Sequence, residues 1–202
     1  MPHTAATLVY DIRNSRYLNI TGRCTLRCQF CPKHNGSKQV HQYQLDLKRQ
    51  PSASEVIALL GDTAQFDEYV FCGYGEPTLN LATLLCVAKE IKARGGKVRV
   101  NTDGLGNLFH KRNILPELAH CVDSLSISLN ADTADNYQMH CRPKLTGSYA
   151  AVLEFITLAP RYIASVQVSA INGLSGVNID ACRQIVESAG ATFKQRELNI
   201  VG

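Results

Sequence analysis

The sequence predicts an α/β fold, a partial (β/α)6 barrel with its active site at the C-terminal ends of the strands. Three observations predict it: short apolar strands alternate with helical segments, the connections are short, and residues suited to chemistry follow strand ends. Six such units are too few to close an eight-stranded barrel. We therefore expect the 202 residues to form one domain around an open, parallel sheet.

The six strands are predicted from short apolar or alternating runs bounded by turn-forming residues. They cover residues 17–21, 68–72, 97–102, 124–129, 165–171 and 192–198. Helices are predicted from capping residues and glycine stops, such as the capping box of Ser52 and Glu55. The first helix begins at residue 52, and the others cover 81–94, 107–119, 149–158 and 179–189. A break is expected in the 107–119 helix before Pro116.

Composition and charge exclude some classes of function. The net charge of +4 is mild and Lys and Arg are scattered, so nucleic-acid binding is not expected. No apolar run approaches the roughly 18–20 residues of a membrane span, so no membrane partner is expected. Eight cysteines without an export signal predict a cytoplasmic protein. The densest cationic loop suits an anionic cofactor or partner, or is a solvated surface; it contains Arg23, Arg27, Lys33 and Lys38.

Three cysteines near the start of the chain, Cys24, Cys28 and Cys31, form the most informative pattern. Their C-x3-C-x2-C spacing lets three thiolates converge on a small cluster and hold three irons of a [4Fe–4S] centre. The fourth iron is then open to a small molecule. Zinc is the main alternative and needs a fourth ligand, for which His34 and His41 are the nearest candidates.

A second motif ends an apolar strand. Residues 70–77 read V-F-C-G-Y-G-E-P, an apolar run followed by a glycine turn and an acid. Glycine lets backbone groups approach a ligand closely, and the carboxylate of Glu76 complements an ammonium group. Alone, the motif also fits an ordinary strand–turn–helix junction, but downstream of clustered cysteines it indicates a cofactor site.

Together these motifs resemble the signature of the radical S-adenosylmethionine (SAM) superfamily, C-x3-C-x-aromatic-C followed by G-G-E-P. Phe30 fills the aromatic position, and Tyr74 replaces the first glycine of the second motif. The resemblance implies a partial TIM-like barrel that uses a [4Fe–4S] cluster and SAM. One electron from the reduced cluster cleaves SAM, and the resulting 5′-deoxyadenosyl radical takes a hydrogen atom from substrate. The cofactor-binding residues implied so far are Phe30, Gly73, Tyr74, Gly75, Glu76 and Pro77.

Polar residues after two later strands complete the expected cofactor site. Asn101 and Asp103 lie in a segment that resembles the family's T-N-G turn, or they cap a helix. Alternation along 124–130 puts the serines and Asn130 on one face, and Ser128 and Asn130 lie nearest the strand end. In the family this strand often supplies a polar residue to SAM. Arg142, in the loop that follows, suits the methionine carboxylate or is a surface residue.

Cys141 is the candidate catalytic residue, as a hydrogen-atom donor or a contact to substrate. Its neighbours His140 and Arg142 favour the thiolate form. The dispersed cysteines are expected to be small buried hydrophobic residues, namely Cys72, Cys86, Cys121 and Cys182.

Less specific segments, at 17–21, 31–34, 73–78 and 141–144, resemble the small radical SAM proteins associated with TatD-family hydrolases. The expected substrate is unidentified, a small molecule in preference to a protein, and the expected reductant is flavodoxin or ferredoxin. An activating enzyme of the glycyl-radical type and a non-catalytic iron–sulfur or zinc module are the alternatives. Because the chain ends soon after the last predicted strand, we also expect the open side to take a large substrate or a partner, such as a second copy in a homodimer.

Overall fold

A computed structural model of the protein describes residues 7–34 and 40–198, so Lys38 and residues 199–202 lie outside the described part. A seven-stranded sheet runs in chain order from β1 to β7. β1 and β2 pair antiparallel, and every later neighbour pairs parallel. The strands are β1 Val9–Ile12, β2 Ser15–Leu18, β3 Glu68–Phe71, β4 Val98–Thr102, β5 Ser124–Ser128, β6 Ser165–Asn172 and β7 Thr192–Glu197.

The predicted open α/β sheet is confirmed, with two corrections at its first edge. The sequence analysis missed β1, which forms a hairpin with β2 through a turn where Arg13 has a φ of 53°. The first predicted strand, 17–21, starts too late and ends too late. β2 ends at Leu18, and the next amide, Asn19 N–H, donates to Leu8 O at 2.8 Å.

Seven helices connect the strands in the described part of the chain: α1 Ala53–Ile57, α2 Leu81–Ala93, α3 Gly106–His110, α4 Leu115–Ala119, α5 Ala134–Cys141, α6 Ser148–Leu158 and α7 Ile179–Ser188. The capping box at the start of α1 is present, since Ser52 Oγ accepts from Glu55 N–H and Glu55 Oε2 accepts from Ser52 N–H. The helix expected over 107–119, with a break before Pro116, is two helices, and the break lies earlier, beginning at Lys111 with a φ of 54°.

Helix α5 was not predicted, because its sequence is mostly polar and carries no clear apolar periodicity. Thr133 caps it by accepting a hydrogen bond from Asn136 N–H at 3.2 Å. This corrects the placement of two candidate residues. Cys141 is the last residue of α5, and Arg142 is its C-cap with a φ of 48°, where a plain loop was expected.

The two faces of the sheet differ in character. On one face, strand residues pack beneath the helices in the main core, and Phe71, Ile127 and Val168 are fully buried. On the other face, the strand register aligns polar residues across four strands, in the rows Asn101–Ser126–Gln167 and Ser128–Ser169–Lys194. We call this second surface the polar face. It includes the alternation predicted for 124–130, since the serines of β5 are half-buried and its Leu and Ile are buried.

Among the helices of the described residues, none combines the length and apolar character needed to cross a lipid bilayer.

Candidate active site

The three candidate metal ligands lie on one loop that follows β2. Two successive turns shape it, because Cys31 N–H donates to Cys28 O at 3.2 Å and His34 N–H donates to Cys31 O at 2.8 Å. Leu26 N–H donates to Cys24 Sγ at 3.3 Å. All three cysteines are free and half-buried. We call residues 22–34 the cysteine loop.

The end of α5 holds the cysteine loop in place. Arg27 N–H donates to Cys141 O and Gln29 N–H donates to His140 O, each at 3.0 Å. These bonds satisfy carbonyls at the helix C-terminus that have no partner within the helix. Just beyond the helix, Lys144 N–H donates to Thr25 O at 2.9 Å. The loop is therefore positioned by backbone hydrogen bonds to an element that the sequence analysis did not predict.

The chemistry of the loop suits a metal cluster. Burial raises the pKa of the Cys24 and Cys31 thiols, and the hydrogen bond with Cys141, followed by burial, raises that of Cys28. A bound cation offsets that cost and favours the thiolate. A cavity of ≈ 320 Å³ adjoins the loop. It is lined by Gly22, Arg23, Cys24, Leu26, Arg27, Lys33, His34 and Lys144.

Within residues 7–34 and 40–198, no three His, Cys, Asp or Glu side chains stand together as a ready ligand set. The fit to a [4Fe–4S] cluster therefore rests on the donors themselves, three thiols on one turn-rich loop with cationic side chains beside them. His34 lines the same cavity as Cys24, so it also stays a candidate fourth ligand for zinc.

The glycines of the second motif permit close contact with the cysteine loop. A Cβ on Gly75 would lie 2.2 Å from Thr21 O and 2.6 Å from Arg23 O, and a Cβ on Gly73 would lie 2.1 Å from Asn19 Oδ1. The next amide, Glu76 N–H, donates to Arg23 O at 2.8 Å. The close approach expected of these glycines is therefore made, but the group they approach is the protein's own backbone or side chain.

Glu76 lies enclosed between the ends of β3 and β4 with 4% of its surface exposed. One oxygen accepts hydrogen bonds from the hydroxyls of Thr78 and Thr102, both at 2.7 Å, and the other accepts from Asp103 N–H at 2.7 Å. Burial raises the pKa of Glu76. Its predicted contact with the methionine ammonium stays a prediction, and in the structure both oxygens already accept hydrogen bonds from protein donors.

Asp103 connects this carboxylate to the cysteine loop. Its Oδ2 accepts from Thr25 Oγ1 at 3.4 Å and lies 3.9 Å from Cys24 Sγ, while Oδ1 accepts from Leu105 N–H at 2.9 Å. Burial, together with the neighbouring Glu76, raises the pKa of Asp103 well above its ordinary value. Glu76 and Asp103 thus form a buried acidic pair against the first cysteine of the motif.

The remaining candidates of the first two motifs lie close to the cysteine loop. Phe30 is partly buried against the main core, and Pro77 opens a 3-10 turn over Pro77–Asn80. Tyr74 is 6% exposed and packs with Tyr10 in a small second core. Its hydroxyl is buried and meets no hydrogen-bond partner among the described residues.

The candidates from later strands lie on or near the polar face. Asn101 accepts a hydrogen bond from Arg99 at 2.7 Å, and Ser128 ends β5 half-buried. Asn130, with a φ of 61°, is buried and accepts a hydrogen bond from Arg196 at 2.9 Å. Arg142 is exposed at the end of α5. Their roles toward SAM stay predictions.

Cys141 is fully buried, and its thiol is the main cause of the raised pKa of Cys28. The two neighbours expected to favour its thiolate face elsewhere. His140 donates from Nε2 to Ser175 O at 2.8 Å and accepts from Gln29 through Nδ1, and Arg142 is exposed. Its role toward substrate stays a prediction, and its neighbour in the structure is a candidate cluster ligand.

The sequence analysis missed Lys194 and Arg196, which β7 places on the polar face. Period-2 alternation along the last predicted strand was the signal that would have found them, because it puts both cations on one side. It also missed Thr25 and Thr102, whose hydroxyls bind Asp103 and Glu76.

The family model of the radical SAM superfamily matches residues 18–189. Over 91 residues the chain is 32% identical to a tungsten-containing aldehyde ferredoxin oxidoreductase cofactor-modifying protein of Pyrococcus furiosus. That match covers 44% of this chain and 23% of the relative.

Solved structures share the fold at low identity. Streptococcus suis SuiB bound to S-adenosylmethionine is similar over 92% of this chain and 40% of its own, with a TM-score of 0.67 and 12% identity. TYW1 with a lysine–pyruvate adduct bound is similar over 93% of this chain and 66% of its own, with a TM-score of 0.66 and 15% identity. The chain thus spans about a quarter of the curated relative and under two thirds of either structure's length.

Proposed function

The chain belongs to the radical SAM superfamily, and we propose that it is an enzyme that cleaves SAM reductively and abstracts a hydrogen atom from substrate. Cys24, Cys28 and Cys31 would hold a [4Fe–4S] cluster. When bound, the cluster and SAM supply one-electron chemistry that yields a 5′-deoxyadenosyl radical. The observation that carries the proposal is the cysteine loop itself, three half-buried thiols held in place by the G-x-G-E-P turn and by α5.

Within this proposal, the protein's own residues position and compensate charge. The contact of Gly75 with Thr21 and Arg23 fixes the turn against the cysteine loop. The Glu76–Asp103 pair fixes the ends of β3 and β4 beneath it. Arg23, Arg27, Lys33 and Lys144 surround the adjoining cavity, where their charge favours anionic groups.

The half-buried polar face supports a small polar substrate, because serine, asparagine and glutamine side chains offer hydrogen bonds to hydroxyl or amide groups. A peptide is the second candidate. It is supported by SuiB, which is similar in fold at 12% identity and was solved with its precursor peptide SuiA bound. A flavodoxin or ferredoxin reductant, a homodimer and the cytoplasmic location are further parts of the proposal. The location is supported by the free thiols of the cysteine loop, which are kept reduced there.

Anaerobic reconstitution tests the proposal. We expect about four irons and four sulfides per chain, and 5′-deoxyadenosine when SAM and dithionite are added. Cys24→Ser, Cys28→Ser and Cys31→Ser should each abolish the nucleoside product. Cys86→Ser is the matched control, because Cys86 is exposed on α2 and far from the cysteine loop in sequence. One zinc per chain with no SAM cleavage would instead establish a non-catalytic metal module.

A further inference from the structure

We infer that Arg196 anchors a carboxylate group of the substrate at the end of the polar face. The inference rests on the proposed function, since it names a chemical feature of the substrate that such an enzyme would take.

Arg196 is a guanidinium whose hydrogen-bonding capacity is only partly used. β7 pairs it with Ile171 of β6, and its Nη2 donates to Asn130 Oδ1 at 2.9 Å. Its Nε–H is buried and meets no acceptor in the described part of the chain. A buried donor without an acceptor is costly, so a ligand that supplies one gains affinity.

Among residues 7–34 and 40–198, no carboxylate pairs with Arg196. Burial lowers its pKa, and the ionisable groups that act on it are the thiols of Cys72, Cys28 and Cys141. Because β2 to β7 run parallel, Arg196 near the end of β7 and the cysteine loop that follows β2 lie at the same edge of the sheet, where a radical generated from SAM would act.

A second arginine on the polar face shows what a satisfied site looks like. Arg99 of β4 donates to both oxygens of Glu68, at 3.0 and 2.7 Å, and Nη1 donates to Asn101. The bidentate pair belongs to the scaffold at the start of the strands. Arg196 lies at the opposite, carboxyl end of the strands, and no carboxylate of the described residues occupies its donor fork. The donor that stays open at Nε is therefore available to a ligand.

The residues beside Arg196 favour a carboxylate on a small polar molecule. Lys194 precedes it on the same face, in the row with Ser128 and Ser169. One edge of a guanidinium matches the two oxygens of a carboxylate bidentately. Asn130, which holds the guanidinium, is itself buried with a positive φ that asparagine tolerates better than most residues. The fork is thus held in one orientation before ligand arrives.

Calorimetric titration of the anaerobically reconstituted protein tests the inference, with pyruvate, malonate and glutarate as probes and their neutral amides as references. We expect at least one acid to bind and its amide not to bind. Arg196→Gln should lower the affinity for that acid by about tenfold or more, as expected for loss of a charge-assisted pair. Arg196→Lys should lower the affinity less. Arg183→Gln is the matched control, because it removes the same charge from an arginine that packs on Phe193 from α7.

Three results would overturn the inference. The first is that no acid binds better than its amide. The second is that inorganic phosphate binds as well as the acids do. The third is that Arg196→Gln lowers the affinity for SAM but for none of the acids, which would show that the guanidinium binds the cofactor. Iron content and 5′-deoxyadenosine formation in the same preparations report on the proposed function separately, so the failure of either idea is distinguishable.

Discussion

The two faces of the sheet differ in how deeply their side chains are buried. Phe71, Val100 and Ile127 on one face are completely buried under the helices. On the other face, Asn101 of β4 and Ser126 and Ser128 of β5 stay half-exposed. One strand thus contributes to the stability of the fold through one set of alternate residues and to the candidate site through the other set. Substitutions on the two faces should therefore separate stability from ligand binding.

The largest expected effect is on the helix-covered face. Phe71→Ala should lower the free energy of unfolding by about 3–5 kcal/mol, because it leaves a cavity in a fully packed core. Ser126→Ala on the polar face should change it by no more than about 0.5 kcal/mol. Denaturant unfolding of both variants measures the difference. Equal losses from the two substitutions would contradict the assignment of separate roles.

A smaller loss is expected at the turn that packs the second motif against the cysteine loop. Gly75→Ala should cost about 1–3 kcal/mol, because the added methyl meets two backbone carbonyls that cannot move independently. It should also lower iron incorporation. Gly22→Ala is the control for stability, since its Cβ would meet its nearest neighbour at 3.9 Å. A Gly75→Ala variant as stable as Gly22→Ala would show that the turn and the loop adapt to each other.

The buried acidic pair predicts a pH dependence of stability in the cluster-free protein. Burial and Glu76 raise the pKa of Asp103, so the native state holds a proton that the unfolded state releases. The free energy of unfolding should therefore fall as pH rises above about 4, the ordinary pKa of an unfolded aspartate. Asp103→Asn, which mimics the protonated acid, should reduce that slope. Unfolding curves recorded at several pH values measure the slope of the free energy of unfolding against pH. An unchanged slope in Asp103→Asn would rule out Asp103 as the source of the pH dependence.

The smallest expected effect concerns Tyr74. Its buried hydroxyl has no partner among the described residues, so Tyr74→Phe should be neutral or stabilise the cluster-free protein by up to about 1 kcal/mol. Tyr69→Phe is the matched control, because the Tyr69 hydroxyl donates to Leu60 O at 2.9 Å. Thermal unfolding compares the two. A larger loss from Tyr74→Phe than from Tyr69→Phe would mean that the Tyr74 hydroxyl has an acceptor.

The sequence predicted those features that local patterns determine. Alternation and capping residues predicted the six parallel strands and five of the connecting helical segments. The spacing of the thiols identified the cysteine loop. Helix α5 was missed because most of its residues are polar, so the three that it buries form no clear apolar pattern. These are Tyr137, His140 and Cys141. The β1–β2 hairpin was missed because its turn, at Arg13 and Asn14, contains no glycine.

The other unpredicted features of the site depend on tertiary contacts, which local sequence patterns do not encode. The contact of the cysteine loop with the end of α5, and the enclosure of Glu76 by Thr102 and Asp103, depend on elements far apart in the chain. The narrower resemblance to TatD-associated proteins stays a prediction.

The central claim is that the three cysteines leave one iron of a cluster open to SAM. Electron paramagnetic resonance of the reconstituted, dithionite-reduced protein, recorded with and without SAM, tests it most directly. We predict a reduced-cluster spectrum whose g-values shift when SAM is added, because SAM then ligates the open iron. A cluster spectrum that SAM leaves unchanged, or a protein that takes up zinc and shows no cluster signal, would contradict the account.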